Sequence, residues 1–148
     1  MKPVLRNLTA VVVGFAVGSA INMSLIMVGP LLVPPPDLGA TVGETDMEAL
    51  TASMHLFGPQ HFIFPFLAHA LGTLVGSIFA YLIAASRKTS MSYIVGLLFL
   101  FGGAWVATRL PSPLWFDVLD LSLAYLPMAA IGILLARSLS HRLVRTPP

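Results

Sequence analysis

Long runs without a charged side chain constrain this sequence more than any other feature. Leu8 to Val33 contains no charge, and neither does His61 to Ser86 or Thr89 to Thr108. A helix needs about 20 apolar residues to cross the hydrocarbon core of a bilayer, and each run is long enough. A fourth stretch, from Leu114 to Ala136, carries only Asp117 and Asp120, both near its start. The pattern predicts an all-α fold: an integral membrane, antiparallel four-helix bundle forming a single domain over residues 1–148. The expected spans are about residues 8–30, 61–85, 90–109 and 114–136, with an outer loop over 31–60. Gly29-Pro30, followed by Pro34-Pro35-Pro36, marks the end of the first span, and Arg137 marks the end of the fourth.

Composition agrees. Only 9% of residues are charged and 57% are hydrophobic, whereas a soluble domain carries about 25% charged residues to face water. Most of this surface must therefore face lipid. The chain has no cysteine, which removes disulfides, thiolate metal sites and cysteine nucleophiles.

Orientation follows from where lysine and arginine fall, because these residues resist translocation. Lys2 and Arg6 precede the first span, Arg87 and Lys88 join the second to the third, and Arg137, Arg142 and Arg145 follow the fourth. Only Arg109 lies at the opposite end. The acids Asp37, Glu44, Asp46, Glu48, Asp117 and Asp120 all belong to the other half of the chain's topology. Both termini are therefore expected in the cytoplasm. Lys2, Arg6, an apolar run and Gly18-Ser19-Ala20 also fit a cleavable leader. The apolar run continues to Val33, however, which favours an uncleaved first span.

Within the outer loop, Thr45 and Glu48 form a capping-box pair for a short helix starting at Asp46. Met47, Leu50, Met54 and Phe57 then share one face, so this helix is expected along the outer membrane surface. Inside the spans, small residues recur at steps of four: Ala10, Gly14 and Gly18, leading to Asn22, in the first, and Ala68, Gly72, Gly76 and Ala80 in the second. The fourth repeats the step with Asp120, Ala124, Met128, Gly132 and Ala136. Helices in lipid associate through such close-packing stripes. The stripes serve either packing within the bundle, the favoured reading, or self-association.

Polar groups inside a span are costly and point to function by default. At a rise of 1.5 Å per residue, Asn22, His69 and Asp120 each lie about 10 Å inward from the outer boundary. Three helices thus place hydrogen-bonding groups in one layer, with Arg109 and Trp105 above it and Tyr125 about one turn below. Pro127 has no N–H, which frees the carbonyl of Leu123. These residues suggest an outward-facing pocket for a proton, an ion or a small polar head group. The structural alternative is an Asp120–Arg109 ion pair and a His69–Asn22 hydrogen bond that hold the bundle together. That alternative is the preferred expectation.

Other chemistries find less support. His55, His61 and Glu48, with Asp46, are metal-ligand types at the outer surface, but their spacing matches no zinc motif. A haem needs inward histidines on facing helices, and only His69 lies deep. Phosphate loops, Ser-His-Asp spacing and paired catalytic carboxylates are missing, and no cofactor is expected. His141, Arg142 and Arg145 form a basic tail that suits anionic lipid, although the orientation rule alone accounts for it.

The stretch Met54-His55-Leu56-Phe57-Gly58-Pro59-Gln60-His61-Phe62-Ile63-Phe64-Pro65-Phe66-Leu67-Ala68-His69-Ala70-Leu71-Gly72-Thr73-Leu74-Val75-Gly76 resembles small bacterial four-span inner-membrane proteins without an assigned function. Trp115-Phe116-Asp117-Val118-Leu119-Asp120 and Ala124-Tyr125-Leu126-Pro127 are similar to the same group. The resemblance implies a bacterial inner membrane and carries no residue role. The expected function is non-enzymatic, either a self-assembling bundle or an accessory subunit of a larger membrane complex. A small proton- or ion-coupled transporter using the Asp120, His69 and Asn22 layer is the alternative, and a membrane-embedded metal-dependent enzyme comes third. Expected partners are membrane lipids and either further copies or a membrane complex, with no nucleic acid.

Overall fold

A computed structural model describes residues 2–36 and 47–145, excluding the side chains of residues 47–49 and 142–145. The elements in order are α1 (Pro3–Leu32), α2 (Met47–Ser53), α3 (Ile63–Ile83), α4 (Lys88–Ala107), α5 (Leu114–Leu123) and α6 (Leu126–Arg145). Two single 3-10 turns, Met54–Leu56 and Pro59–Phe62, connect α2 to α3. The described residues form an all-helical bundle, and among them four stretches are long and apolar enough to cross a membrane: Pro3–Leu32, Pro59–Ile83, Lys88–Ala107 and Leu114–His141.

α3 is the central helix, packed against α1, α4, α5 and α6. Its small-residue stripe decides the geometry. A Cβ on Gly14 would fall 2.6 Å from the Gly76 carbonyl oxygen, and one on Gly18 would fall 2.5 Å from that of Gly72. The converse holds for Gly72 against Gly18 and for Gly76 against Gly14. The stripes of α1 and α3 are thus spent on each other, antiparallel and with backbones nearly touching. On the far side of α3, Gly132 of α6 rests against the Leu74 carbonyl and Ser77. Ala80, Ala124, Ala129 and Ala136 are fully buried, so the interior is built largely from small side chains.

At the basic end, α1 is stapled to the α3–α4 turn. Asn7 Oδ1 accepts the Ala85 and Ser86 amides at 3.0 and 3.2 Å, and its Nδ2 donates to Ser86 Oγ at 3.0 Å. Arg6 Nε donates to the Ile83 carbonyl at 2.7 Å, satisfying one of the acceptors that every helix C-terminus leaves open. Arg137 of α6 reaches Thr89 of α4 at 3.0 Å. Arg6, Arg87, Lys88 and Arg137 therefore gather at one end of the bundle.

Two boundaries differ from expectation. α1 continues through Pro30 to Leu32, with the Val33 amide bonded to the Gly29 carbonyl at 2.8 Å. Pro30 sits in the final turn, where the bond it cannot make and the bend its ring imposes disturb only the end of the helix. The fourth span, expected to be continuous, is broken at Ala124-Tyr125. Pro127 is the cause: it has no N–H for the Leu123 carbonyl, and its ring collides with that carbonyl in an unbroken helix. In the first turn of a new helix the same residue is well tolerated.

The short helix expected in the loop after the first span is present as α2, although Thr45 and Asp46 lie outside the described residues and the Glu48 side chain does too. The apolar residues of α2 and of the turn after it cover the end of the bundle opposite the basic one. Met54 is buried with Phe62 and Phe116, and Leu50 and Phe57 pack around them.

Candidate functional site

The break in the fourth span builds the most distinctive polar site. Asp120, one turn before the end of α5, is only 4% exposed. His69 of α3 brings Nδ1 to 3.0 and 2.9 Å from its two carboxylate oxygens. The Tyr125 hydroxyl donates to Oδ2 at 2.8 Å. Tyr125 is fully buried, and its ring lies 5.6 Å from that of His69 at an interplanar angle of 28°. The hydroxyl end is seated against Gly103 of α4, where any Cβ would overlap it. Four elements thus converge: α3 gives the imidazole, α5 the carboxylate, the break gives the phenol and α4 supplies the space.

The local backbone explains why this arrangement forms. In an unbroken helix, residues five apart point about 140° away from each other. Tyr125 reaches back to Asp120 only because the helix stops after Leu123. Placing Tyr125 one turn below Asp120 anticipated their proximity but not their bond. Pro127, two residues beyond Tyr125, was the available signal.

A carboxylate at this depth persists only with partners. His69 is the less buried of the two, with 20% of its side chain exposed against 5% for Asp120. A single proton between Nδ1 and the carboxyl keeps the pair neutral overall on either atom, as imidazolium with carboxylate or as imidazole with carboxylic acid. The arrangement can hold and shift a proton.

The remaining layer residues go elsewhere. Arg109 is exposed, with its guanidinium 4.6 Å from the centre of the Trp105 ring, a cation–π contact along the outer face of α4. The expected Asp120–Arg109 pair is replaced by Asp120 with His69 and Tyr125. Arg109 lies past the end of α4, so its long side chain folds back four residues onto Trp105. Asn22 packs on the α1–α3 seam, where a Cβ on Gly72 would lie 3.1 Å from its own Cβ. The expected His69–Asn22 bond is thus replaced by His69 with Asp120. A groove of about 430 Å³ between α3 and α5 has apolar walls that include Phe62, Phe66, Leu67, Trp115, Leu119 and Leu123, and neither His69 nor Asp120 lines it.

Two further polar features were not anticipated. Ser77 and Ser92, both buried, exchange hydrogen bonds across α3 and α4. Ser92 Oγ donates to the Ser77 carbonyl at 2.9 Å, and Ser77 Oγ donates to the Ser92 carbonyl at 3.3 Å. Thr73, one turn beyond His69, is fully buried and its hydroxyl has no partner among the described residues. Serine and threonine within an apolar run were the only sequence signal, and such residues more often bond their own helix.

At the end of the bundle opposite the basic one, His61 has both ring nitrogens engaged. Its Nδ1 accepts the Gly58 amide at 3.0 Å, which leaves Nε2 as the donor to the Pro34 carbonyl at 3.1 Å. His55 Nδ1 donates to the Ala52 carbonyl at 2.9 Å. Among the described residues, no three histidine, cysteine or acidic side chains gather as metal ligands do. Asp117 accepts from Ser112 Oγ and stands in the first turn of α5, where a negative charge suits the helix dipole.

No family model, curated protein or solved structure matches the chain.

Proposed function

We propose that this chain is a non-enzymatic, four-pass protein of the bacterial inner membrane, with both termini cytoplasmic, that acts as an accessory subunit of a larger membrane complex. One observation carries the reading: the close-packing stripes are used up within the chain, Gly14 and Gly18 against Gly72 and Gly76. The bundle is self-sufficient, and what it has left for work is its outer surface. On α4, Gly102 has open space around it and stands among exposed Leu98, Phe101 and Trp105. Another helix can approach closely there. The bacterial setting rests on the resemblance of Met54–Gly76, and the orientation rests on the gathering of basic residues at one end.

A proton-coupled carrier is the second reading. The His69–Asp120 pair favours it, because that pair can exchange a proton within the bundle. Gentle detergent extraction followed by mass measurement separates the two readings. Recovery with unrelated partner chains is the expected result. A lone protein that carries pH-dependent flux in liposomes, abolished by Asp120→Asn, would overturn it in favour of the carrier.

A further inference from the structure

At the basic end, a groove of about 480 Å³ runs between the start of α1 and the start of α4. Its walls are apolar: Val4, Leu8, Val11 and Val12 from α1, with Met91 and Ile94 from α4. Its mouth is polar and is formed by Asn7, Ser86 and Arg87. An apolar trough that opens at a cationic, hydrogen-bonding mouth matches the two-part chemistry of a phospholipid.

Charge selects the kind of phospholipid. Helices α1, α3, α4 and α6 and the α3–α4 turn contain no acidic residue, so the field at the mouth is positive. Three of the neighbouring bases have partners of their own. Arg6 holds the Ile83 carbonyl, Lys88 lies 5.4 Å from the centre of the Tyr81 ring, and Arg137 bonds Thr89. Arg87 is the base that lines the groove.

Its backbone adds a second observation. Arg87 has φ 48° and ψ 38°, the only positive φ outside glycine among the described residues. Glycine or asparagine adopts this left-handed conformation at lower cost. A bulky cation there is the strained choice, and such strain concentrates where a ligand is held. Ser86 Oγ accepts from Asn7 Nδ2, which leaves its own O–H free to donate into the mouth.

We propose that this groove binds one anionic phospholipid from the leaflet at the basic end. The Arg87 guanidinium and the Ser86 hydroxyl hold the phosphate, in the forked geometry that suits arginine. One acyl chain lies along Val4, Leu8, Val11 and Val12. The site is independent of the accessory-subunit reading, and each can fail without the other.

The test uses the full chain in neutral detergent, titrated with phosphatidylglycerol or phosphatidylcholine and read by native mass spectrometry. The wild type is expected to retain one phosphatidylglycerol with a preference of about fivefold or more. Arg87→Asn removes the charge and suits the left-handed backbone, and it is expected to erase that preference. Arg137→Asn removes a charge from the same end outside the groove and leaves the preference within about twofold. Val12→Trp fills the trough from an exposed position and is expected to weaken both lipids, which keeps the test decisive if Arg87→Asn does not fold. Equal losses in the two arginine variants would mean diffuse surface charge and overturn the site. So would a wild type indifferent to headgroup charge. Displacement of the lipid by millimolar inorganic phosphate would show a phosphate site instead of a lipid site, with the same consequence.

Discussion

The α1–α3 seam and the broken fourth span hold helices together by opposite means. Along the seam, glycines bring two backbones to within a Cβ of collision, and no polar side chain is needed. At the break, a buried carboxylate gathers a histidine and a tyrosine from separate elements. Lipid offers helices no hydrophobic drive to associate, so contact comes from dispersion at short range or from hydrogen bonds without water to compete. The seam is intolerant of volume and indifferent to chemistry. The break is intolerant of volume at Gly103, where any Cβ would overlap the Tyr125 hydroxyl, and it depends on which atoms donate and accept.

The largest expected effect breaks the seam. Gly18→Leu places a side chain where Gly72 and Phe99 already stand, with Cβ alone 2.5 Å from a carbonyl oxygen and 2.9 Å from the Phe99 ring. A loss of about 3 kcal/mol is expected, near the upper range for overpacking. Unfolding in mixed micelles of increasing sodium dodecyl sulfate measures it. A loss below that of any polar substitution would show that the seam is looser than its geometry.

Next comes the break. Asp120→Ala leaves a buried phenol and imidazole without their acceptor and is expected to cost about 2 kcal/mol. Tyr125→Phe removes one bond and is expected to cost about 0.6 kcal/mol, the usual worth of an intramembrane hydrogen bond. The same unfolding assay reads both. Equal costs for the two variants would mean that His69, and not the hydroxyl, is dispensable to the network.

The smallest effect sharpens the comparison from the other side. Gly102 faces open space, unlike Gly14, Gly18, Gly72 or Gly76. Gly102→Ala is therefore expected to stabilise the isolated chain by about 0.5 kcal/mol through helix propensity alone. A clear loss of stability in detergent would mean that the surface of α4 around Gly102 is covered by another copy of the chain.

Much of this was legible in the residues. Charge-free runs named four spans because hydrocarbon excludes ions over a fixed thickness, and the step-of-four glycines named the packing faces because a helix repeats every 3.6 residues. Counting along each span places Asn22, His69 and Asp120 at similar depths, because depth follows from the rise per residue. Their partners were not legible. Depth gives one coordinate, whereas pairing needs the rotation of each helix and the location of breaks.

The sequence by itself determined a four-span helical bundle, its basic end and the glycine stripes, all of which follow from solvent, charge and helical period acting on one segment at a time. Only the tertiary structure decided that the α1 and α3 stripes meet each other, that Asp120 takes His69 and Tyr125 in place of Arg109, and that Arg87 lines an apolar groove. Those outcomes depend on how separate helices rotate and tilt together, and Pro127 shifts that geometry by ending α5 at Leu123, two residues before Tyr125. A property of several segments at once is not written in any of them singly.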